Sequence, residues 1–436
     1  MLKKIPVEHV RLGMHLHELC GAWLEHPFWK TKFVIRDPAD LAKLKGSGVK
    51  EIWIDVSKGL DVEAVATAAA ATPAPAPAAV SATAPAATPA SPAAVAVAER
   101  PGVPAAARAR PETASTDLQS ELQRATVLVN QARGAVTSLF NEARMGRALD
   151  AEKCLPLVDE IASSVWRNPG AIISLARLKT HDDYTYMHSV AVCALMVSLA
   201  RQLGMDEAQA RECGMAGLLH DMGKAAMPIA VLNKPGKLTD AEYDVMKTHP
   251  AAGHALLVEG NGVGALTLDV CLHHHERPDG AGYPHKLSGD ALSRAARMGA
   301  VCDVYDAITS NRPYKNGWDP AESIAKMASW KGQFDSIVFQ AFVKSLGIYP
   351  VGSLVSMKSG RLAVVVDQGG GSLTAPRVKV FYSTKSSMPI RPEVVDLSAA
   401  GCHDAIVGRE SPERWNFPHL HELWAGPENL RRIGRA

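Results

Sequence analysis

The chain carries His220-Asp221 and, further on, His274-His275-Glu276-Arg277-Pro278-Asp279-Gly280-Ala281-Gly282-Tyr283-Pro284. One His-Asp pair and one His-His pair place four metal-binding groups at only two points of the sequence. Neutral imidazole and ionised carboxylate suit iron, manganese, zinc or nickel, and a set of this size points to more than one ion. His188, His249 and Asp303 extend it to seven candidates: His188, His220, Asp221, His249, His274, His275 and Asp303. Two cations about 3.5–4 Å apart are a recurrent device for cleaving phosphate esters. The chemistry these residues predict is metal-dependent phosphodiester hydrolysis.

Such a cluster needs elements that bring distant residues together. The pattern predicts helices over Ser189 to Arg201, Asp206 to His220 with Asp206 as N-cap, Thr239 to Val258 with a Thr239/Glu242 capping box, and Ser293 to Ser310. Each candidate ligand opens, closes or falls within one of the helices expected from Leu155 to about Leu346, and inward-facing ligands on several helices are an established way to hold two metals. Asp303 and Asp306 share a helix face. His220 and Asp221 would stand about 100° apart on a continuous helix. They flank one site if the helix ends there, and Gly223 is placed to end it.

The rest of the chain frames this bundle. Residues 1–62 show strand signals at Phe33-Val34-Ile35 and Glu51 to Val56, with a short helix over Asp37 to Leu44 closed by Gly46 or Gly48, which predicts a small α+β accessory domain. Residues 63–115 are dominated by alanine and proline and read as a semi-extended, disordered linker. A heptad-like seam follows (Leu118, Leu122, Ala125, Val129, Ala132, Val136, Leu139), opened by a Thr116/Gln119 capping box. It serves either a helix folded onto its own domain or a homodimer contact along residues 116–140. Strands over Gly352 to Met357, Gly360 to Asp367 and Arg377 to Tyr382 predict a small β subdomain within 347–436, ending in a polar, Arg-rich tail. The expected fold class is mainly α: an all-α helical bundle over 116–346 with a small α+β domain before it and a small β appendage after it.

At 436 residues and a formal net charge of +2, the chain lacks the field that would draw it to a nucleic-acid polymer or an acidic membrane. Seven dispersed cysteines with no C-x-x-C pair fit reduced thiols in a cytoplasmic protein. No apolar run follows Lys3-Lys4, and Val190 to Ala200 is shorter than the roughly 20 residues a membrane span needs. His9, His15, His17, His26, His181, His254, His273 and His285 read as ordinary core or surface residues.

Over roughly residues 175–320 the sequence resembles the HD-GYP phosphodiesterases, a branch of the HD metal-dependent phosphohydrolases. The resemblance rests on Tyr184 to Ser189, Leu218 to Lys224, Leu232 to Leu238, Lys247-Thr248-His249-Pro250, the full string 274–284, and Asp303 to Lys315. It implies hydrolysis of cyclic di-GMP to linear pGpG and/or GMP at an iron or manganese centre held by the same seven ligands. In that reading Asp221 bridges the ions, Lys224 acts with it over the phosphate, Arg312 and Lys315 meet the second phosphate and a guanine, and Tyr283 lines the pocket. Asp279 and Asp306 complete the substrate-binding set. Some members place a glutamate four residues before the first ligand histidine; Tyr184 stands there here, so a dinuclear centre is expected. The N-terminal module resembles a domain of unknown function often found ahead of this unit, which implies regulation or a protein partner. The competing expectations are an HD phosphohydrolase acting on other nucleotides and a catalytically weak cyclic di-GMP sensor.

Overall fold

The computed structural model describes residues 2–20, 33–46, 51–61, 117–178, 184–234, 236–310, 317–368 and 372–434. The chain divides into two compact units, Met1–Ala107 and Arg108–Ala436. In the first, β1 (Leu2–Pro6), β2 (His15–Cys20), β3 (Phe33–Val34), α1 (Pro38–Lys45) and β4 (Glu51–Asp55) form the expected α+β module. Its four-stranded antiparallel sheet runs β1-β4-β2-β3. Ile5, Val10, Met14, Leu16, Ile35, Leu44, Ile52 and Ile54 make a small separate core. The first two strands escaped sequence reading because β1 mixes lysines into a short run and β2 alternates histidine with leucine.

The second unit opens with α2 (Leu118–Arg144), whose N-cap is Asp117, accepting from the Gln119 and Ser120 amides. That replaces the expected Thr116/Gln119 box; Thr116 lies outside the described residues. The seam residues Leu118, Leu122, Ala125, Val129, Ala132 and Val136 are buried in the unit's own core, so this face of α2 packs within its own unit. Then follow α3 (Leu155–Arg167), α4 (Pro169–Arg177), α5 (Tyr184–Gln202) and α6 (Glu207–Leu219), the last with an Asp206/Gln209 capping box. α7 (Ile229–Leu232), α8 (Asp240–Met246), α9 (His249–Val258), α10 (Ala265–His273), α11 (Arg294–Thr309), α12 (Pro320–Ser329) and α13 (Ser336–Leu346) complete the bundle.

Two helices differ from expectation. α5 begins at Tyr184, so His188 lies inside it rather than before it. The single helix expected over 239–258 is two: α8 ends at Met246 and α9 restarts at His249. Pro250, in the first turn of α9, has no amide hydrogen to continue a helix through 247–250 and favours a fresh start there. The Thr239/Glu242 capping box is present as expected.

Beyond the bundle, β5 (Leu354–Met357), β6 (Arg361–Asp367), β7 (Arg377–Ser383), β8 (Met388–Asp396) and β9 (Ile406–Arg409) make one antiparallel sheet ordered β8-β7-β6-β5-β9. The last stretch is not a free polar tail. α14 (Pro412–Trp415), α15 (Leu420–Ala425) and α16 (Pro427–Arg432) pack back, and Leu420, Trp424, Ala425, Leu430 and Ile433 join the bundle core. Gln119 Nε2 donates to the Trp424 carbonyl at 3.1 Å and Asn130 Nδ2 to the Arg432 carbonyl at 3.0 Å, so α2 is gripped by the chain's end. Among the described residues, no helix is long and apolar enough to cross a membrane.

Candidate metal centre

Five helices or their ends deliver one cluster. His188 comes from inside α5, His220 and Asp221 from the end of α6, His249 from the start of α9, His274 and His275 from the end of α10, and Asp303 from α11. Grouped as His249/His274/His275, His188/His220/Asp303 and His220/Asp221/His274, their ligand atoms lie within 4.8 Å of one another. All seven are buried but His275, which is partly open. The α6 helix stops at Leu219 and the chain enters a short 3₁₀ turn, Met222–Ala226, which turns Asp221 toward the same cavity as His220.

Gly223 allows this for a reason other than the helix-ending role expected of it. A Cβ there would stand 1.8 Å from the His249 carbonyl oxygen and 2.5 Å from the Gly253 amide nitrogen. Its missing side chain lets α9 press onto the turn that carries Asp221, which brings His249 Nε2 to 3.2 Å from Asp221 Oδ1.

Asp221 divides its two oxygens between two groups of rings. Oδ2 faces His188 Nε2 and His220 Nε2, both at 3.3 Å, and Oδ1 faces His249 Nε2 at 3.2 Å and His274 Nε2 at 3.8 Å. Asp303 repeats the pattern, with Oδ1 3.0 Å from His188 Nε2 and Oδ2 3.6 Å from His275 Nδ1. Each carboxylate thus faces rings from two sides of the cluster.

Four rings are held with their Nε2 inward. His220 Nδ1 meets the Gly217 carbonyl at 2.8 Å, His249 Nδ1 the Met246 carbonyl at 2.7 Å, His274 Nδ1 the Cys271 carbonyl at 3.0 Å, and His188 Nδ1 the Asp306 carboxylate at 2.6 Å. A carbonyl only accepts, so Nδ1 carries the proton and Nε2 of the neutral ring is a bare lone pair. His249 Nε2 and His274 Nε2 nevertheless approach to 3.3 Å, two lone pairs face to face. His220 Nε2 and Asp221 Oδ1 are buried with no hydrogen-bond partner among the described residues. Orphaned acceptors converging on one cavity are the signature of a site built for cations.

The electrostatics agree. Burial pushes the His274 pKa well down, helped by the rings of His275, His220 and His249, and burial takes His275 down to about 3 against the pull of Asp303. Both are therefore neutral, the form in which imidazole can bind a metal. Burial opposes ionisation of Asp221 and Asp303, but the surrounding cations and rings prevail, Lys224 and His220 for Asp221 and His188 and His275 for Asp303; both stay ionised well below the usual carboxylate range. For His188, burial is overcome by Asp221, Asp303 and Asp306, which lift it to about 10. A proton held there marks where negative charge converges and where a cation would replace it.

The remaining expected residues separate into groups. Lys224 follows Asp221 by one turn and bonds its Oδ2 from a partly open position. Tyr283 stacks on His275 with centroids 4.7 Å apart and 29° between planes. Burial pushes its phenol pKa up, so it stays neutral. Asp306, expected to meet substrate, is 2 % exposed and bonds His188 Nδ1 at 2.6 Å, which orients that ring. The Asp279 carboxylate, still exposed, accepts from Arg277 and from the Ala281 amide within the loop. Arg312 and Lys315 lie outside the described residues, as does the Tyr184 side chain.

Glu276 was missed. It is 2 % exposed and accepts from the backbone amides of His285 at 2.6 Å and Leu287 at 3.1 Å, tying the loop to the His274-His275 pair. Two glycines shape that loop for different reasons. Gly280 adopts φ +72°, and a Cβ on Gly282 would meet the Arg277 nitrogen and the Glu276 Cα at 2.5 Å.

A helical bundle with a His-Asp centre shared between two carboxylates defines the HD metal-dependent phosphohydrolase class. Residues 168–338 match the HD domain family, and residues 2–154 match a domain of unknown function (DUF3391). The chain is 53% identical over 429 residues to cyclic di-GMP phosphodiesterase PA4108 of Pseudomonas aeruginosa, covering 98% of this chain and 96% of that protein. It is 46% identical over 151 residues to the cyclic di-GMP phosphodiesterase response regulator RpfG of Xanthomonas campestris, covering 34% of this chain and 39% of that one. It is 34% identical over 181 residues to 3'3'-cGAMP-specific phosphodiesterase 1 of Vibrio cholerae, covering 40% and 42%. The chain belongs to the HD-GYP family of the HD metal-dependent phosphohydrolases.

Proposed function

We propose that the chain is a metal-dependent phosphodiesterase that hydrolyses cyclic di-GMP to linear pGpG and/or GMP. The observation that carries this reading is the split of Asp221 between two sets of inward-facing ring nitrogens, together with the near-full-length likeness to a protein named for that activity. His188, His220, Asp221 and Asp303 would hold one divalent cation, and Asp221, His249, His274 and His275 the other, with iron or manganese suited to the mixed nitrogen and oxygen set. When bound, such a pair supplies Lewis acidity, which lowers the pKa of a water and neutralises phosphate charge.

The chain's own residues do the rest. Lys224, a compact ammonium at the open edge of the centre, pairs with charge growing on a phosphate oxygen. Asp306 fixes the His188 ring and Glu276 fixes the loop, so the ligand geometry exists before substrate arrives. Tyr283, neutral and stacked on His275, walls the open side. Arg312 and Lys315 are assigned to the distal phosphate and guanine. The N-terminal unit, residues 1–62, is assigned to regulation or a protein partner, joined by the segment 63–115 to the catalytic unit 116–346 and the β subdomain 347–436.

The test is turnover by the full chain, purified anaerobically and loaded with Fe(II) or Mn(II), on cyclic di-GMP, 3'3'-cGAMP and linear dinucleotides. Cyclic di-GMP consumed fastest with pGpG or GMP accumulating is the expected result. Faster consumption of 3'3'-cGAMP would reassign the substrate, and tight binding without any product over hours would make the chain a sensor.

A further inference from the structure

A second pair of histidines lies outside the centre. His273 ends α10 one residue before the ligand His274, so its ring turns about 100° away from the buried cluster. Its Nε2 stands 3.3 Å from Nδ1 of His285, with ring centroids 5.4 Å apart and 60° between planes, at an exposed position. His273 Nδ1 is turned to the Asp269 carboxylate at 2.8 Å, and the other oxygen of Asp269 bonds Ser293 Oγ. His285 is anchored through its backbone amide, which donates to Glu276 Oε1 at 2.6 Å.

We propose that His273 and His285 form a peripheral binding site for a borderline divalent transition cation such as Zn²⁺, completed by water. Asp269 accepts a hydrogen bond from Nδ1–H of His273, so Nε2 is a lone pair aimed at the second ring; carboxylate–histidine–metal sites are oriented in this way. The separation is the one a shared cation imposes, although it is longer than the commonest hydrogen bond by only a few tenths of an ångström. An N–H donor settles about 2.9–3.0 Å from its acceptor. Two imidazole nitrogens, each roughly 2.0–2.1 Å from a tetrahedral zinc, stand about 3.3 Å apart, as these do. The His273 ring is fixed from behind by Asp269 and the His285 backbone by Glu276 before an ion arrives, and solvent reaches the open positions. Because His285 follows Tyr283 by two residues, an ion here fastens the loop that walls the catalytic cavity to α10.

The experiment is equilibrium dialysis of the full-length, Mn(II)-loaded protein against micromolar Zn²⁺, with zinc and manganese counted per chain. The wild type is expected to take up one zinc more than His285→Ala, and His285→Cys, which restores a zinc ligand, is expected to regain it. Asp269→Asn should weaken that added zinc about 10-fold by releasing the His273 ring. Equal zinc content in wild type and His285→Ala, with manganese content unchanged, overturns the site and leaves a hydrogen bond between the rings. Should His285→Ala fail to fold, His285→Gln keeps a hydrogen-bonding side chain without a ring nitrogen, and the same comparison decides.

Discussion

Asp221 is the residue on which both halves of the centre depend, since each of its oxygens faces a different set of rings. Asp221→Ala is expected to abolish turnover and to empty both subsites; metal analysis showing two ions in a soluble variant would refute the bridging role. Lys224 makes a different prediction from the same neighbourhood. It bonds Asp221 yet supplies no ligand atom, so Lys224→Ala should leave metal content near wild type while turnover falls about 10²–10³-fold, the loss typical of one transition-state donor. A variant that loses metal in step with activity would make Lys224 a structural partner of Asp221 instead. Asp306 stands one step further out. Asp306→Asn leaves His188 in place with a weaker orienting bond, and metal affinity should drop about 10–100-fold by titration, with full turnover recovered at saturating metal.

At the scale of elements, the centre depends on how closely α9 approaches the turn after α6. Gly223→Ala puts a methyl group where the His249 carbonyl oxygen already stands. Backbone must move, at a cost of about 1–3 kcal/mol typical of overpacking. The expected outcome is a folded protein, less stable to urea, that has lost the subsite containing His249; normal metal content and stability would show that the approach is not required. This contact marks the boundary of what the sequence discloses. The clustering His and Asp residues, the capping residues of α6 and α8, and the amphipathic face of α2 are local patterns, so they were legible. The reason for Gly223, the clasp by Glu276, and the roles of Asp279 and Asp306 depend on which chain segments meet in space, and local pattern does not carry that. β8 was invisible for a further reason: two prolines and an exposed face remove its alternation. The junction of α12 with β5 supplies a pH test. Burial raises the Asp319 carboxyl to about 6 from an ordinary 3.8, against the amides of Glu322, Leu354 and Ala321. The folded state then holds this proton more tightly than the unfolded one, so its stabilising contribution is complete below pH 3.8 and disappears as pH rises through about 6. Urea unfolding of Asp319→Asn across that window should show a shallower fall in stability than the wild type, and parallel curves would exclude the effect.

At the scale of the whole molecule, the metal centre and the chain's end act on one core. The cluster draws its members from α5, α6, α9, α10 and α11, so bound cations would tie together five helices that otherwise meet through apolar packing and a few polar bonds such as His188 to Asp306. The first unit contributes none of these ligands. Removing the ions should therefore destabilise the second unit alone. Mass action puts the effect at about 4 kcal/mol for metal held at a thousand times its dissociation constant. Calorimetry of the full chain with and without chelator should show the main transition move to lower temperature while any separate transition of the first unit stays in place. Trp424→Ala offers the contrast. Trp424 is fully buried among bundle residues, and its loss should cost about 3–5 kcal/mol with metal still bound and turnover per folded molecule unchanged. If chelation shifted both transitions together, or left the main one unmoved, the ions would not be holding the helices of the second unit, and the centre as drawn from these seven residues would have to be abandoned.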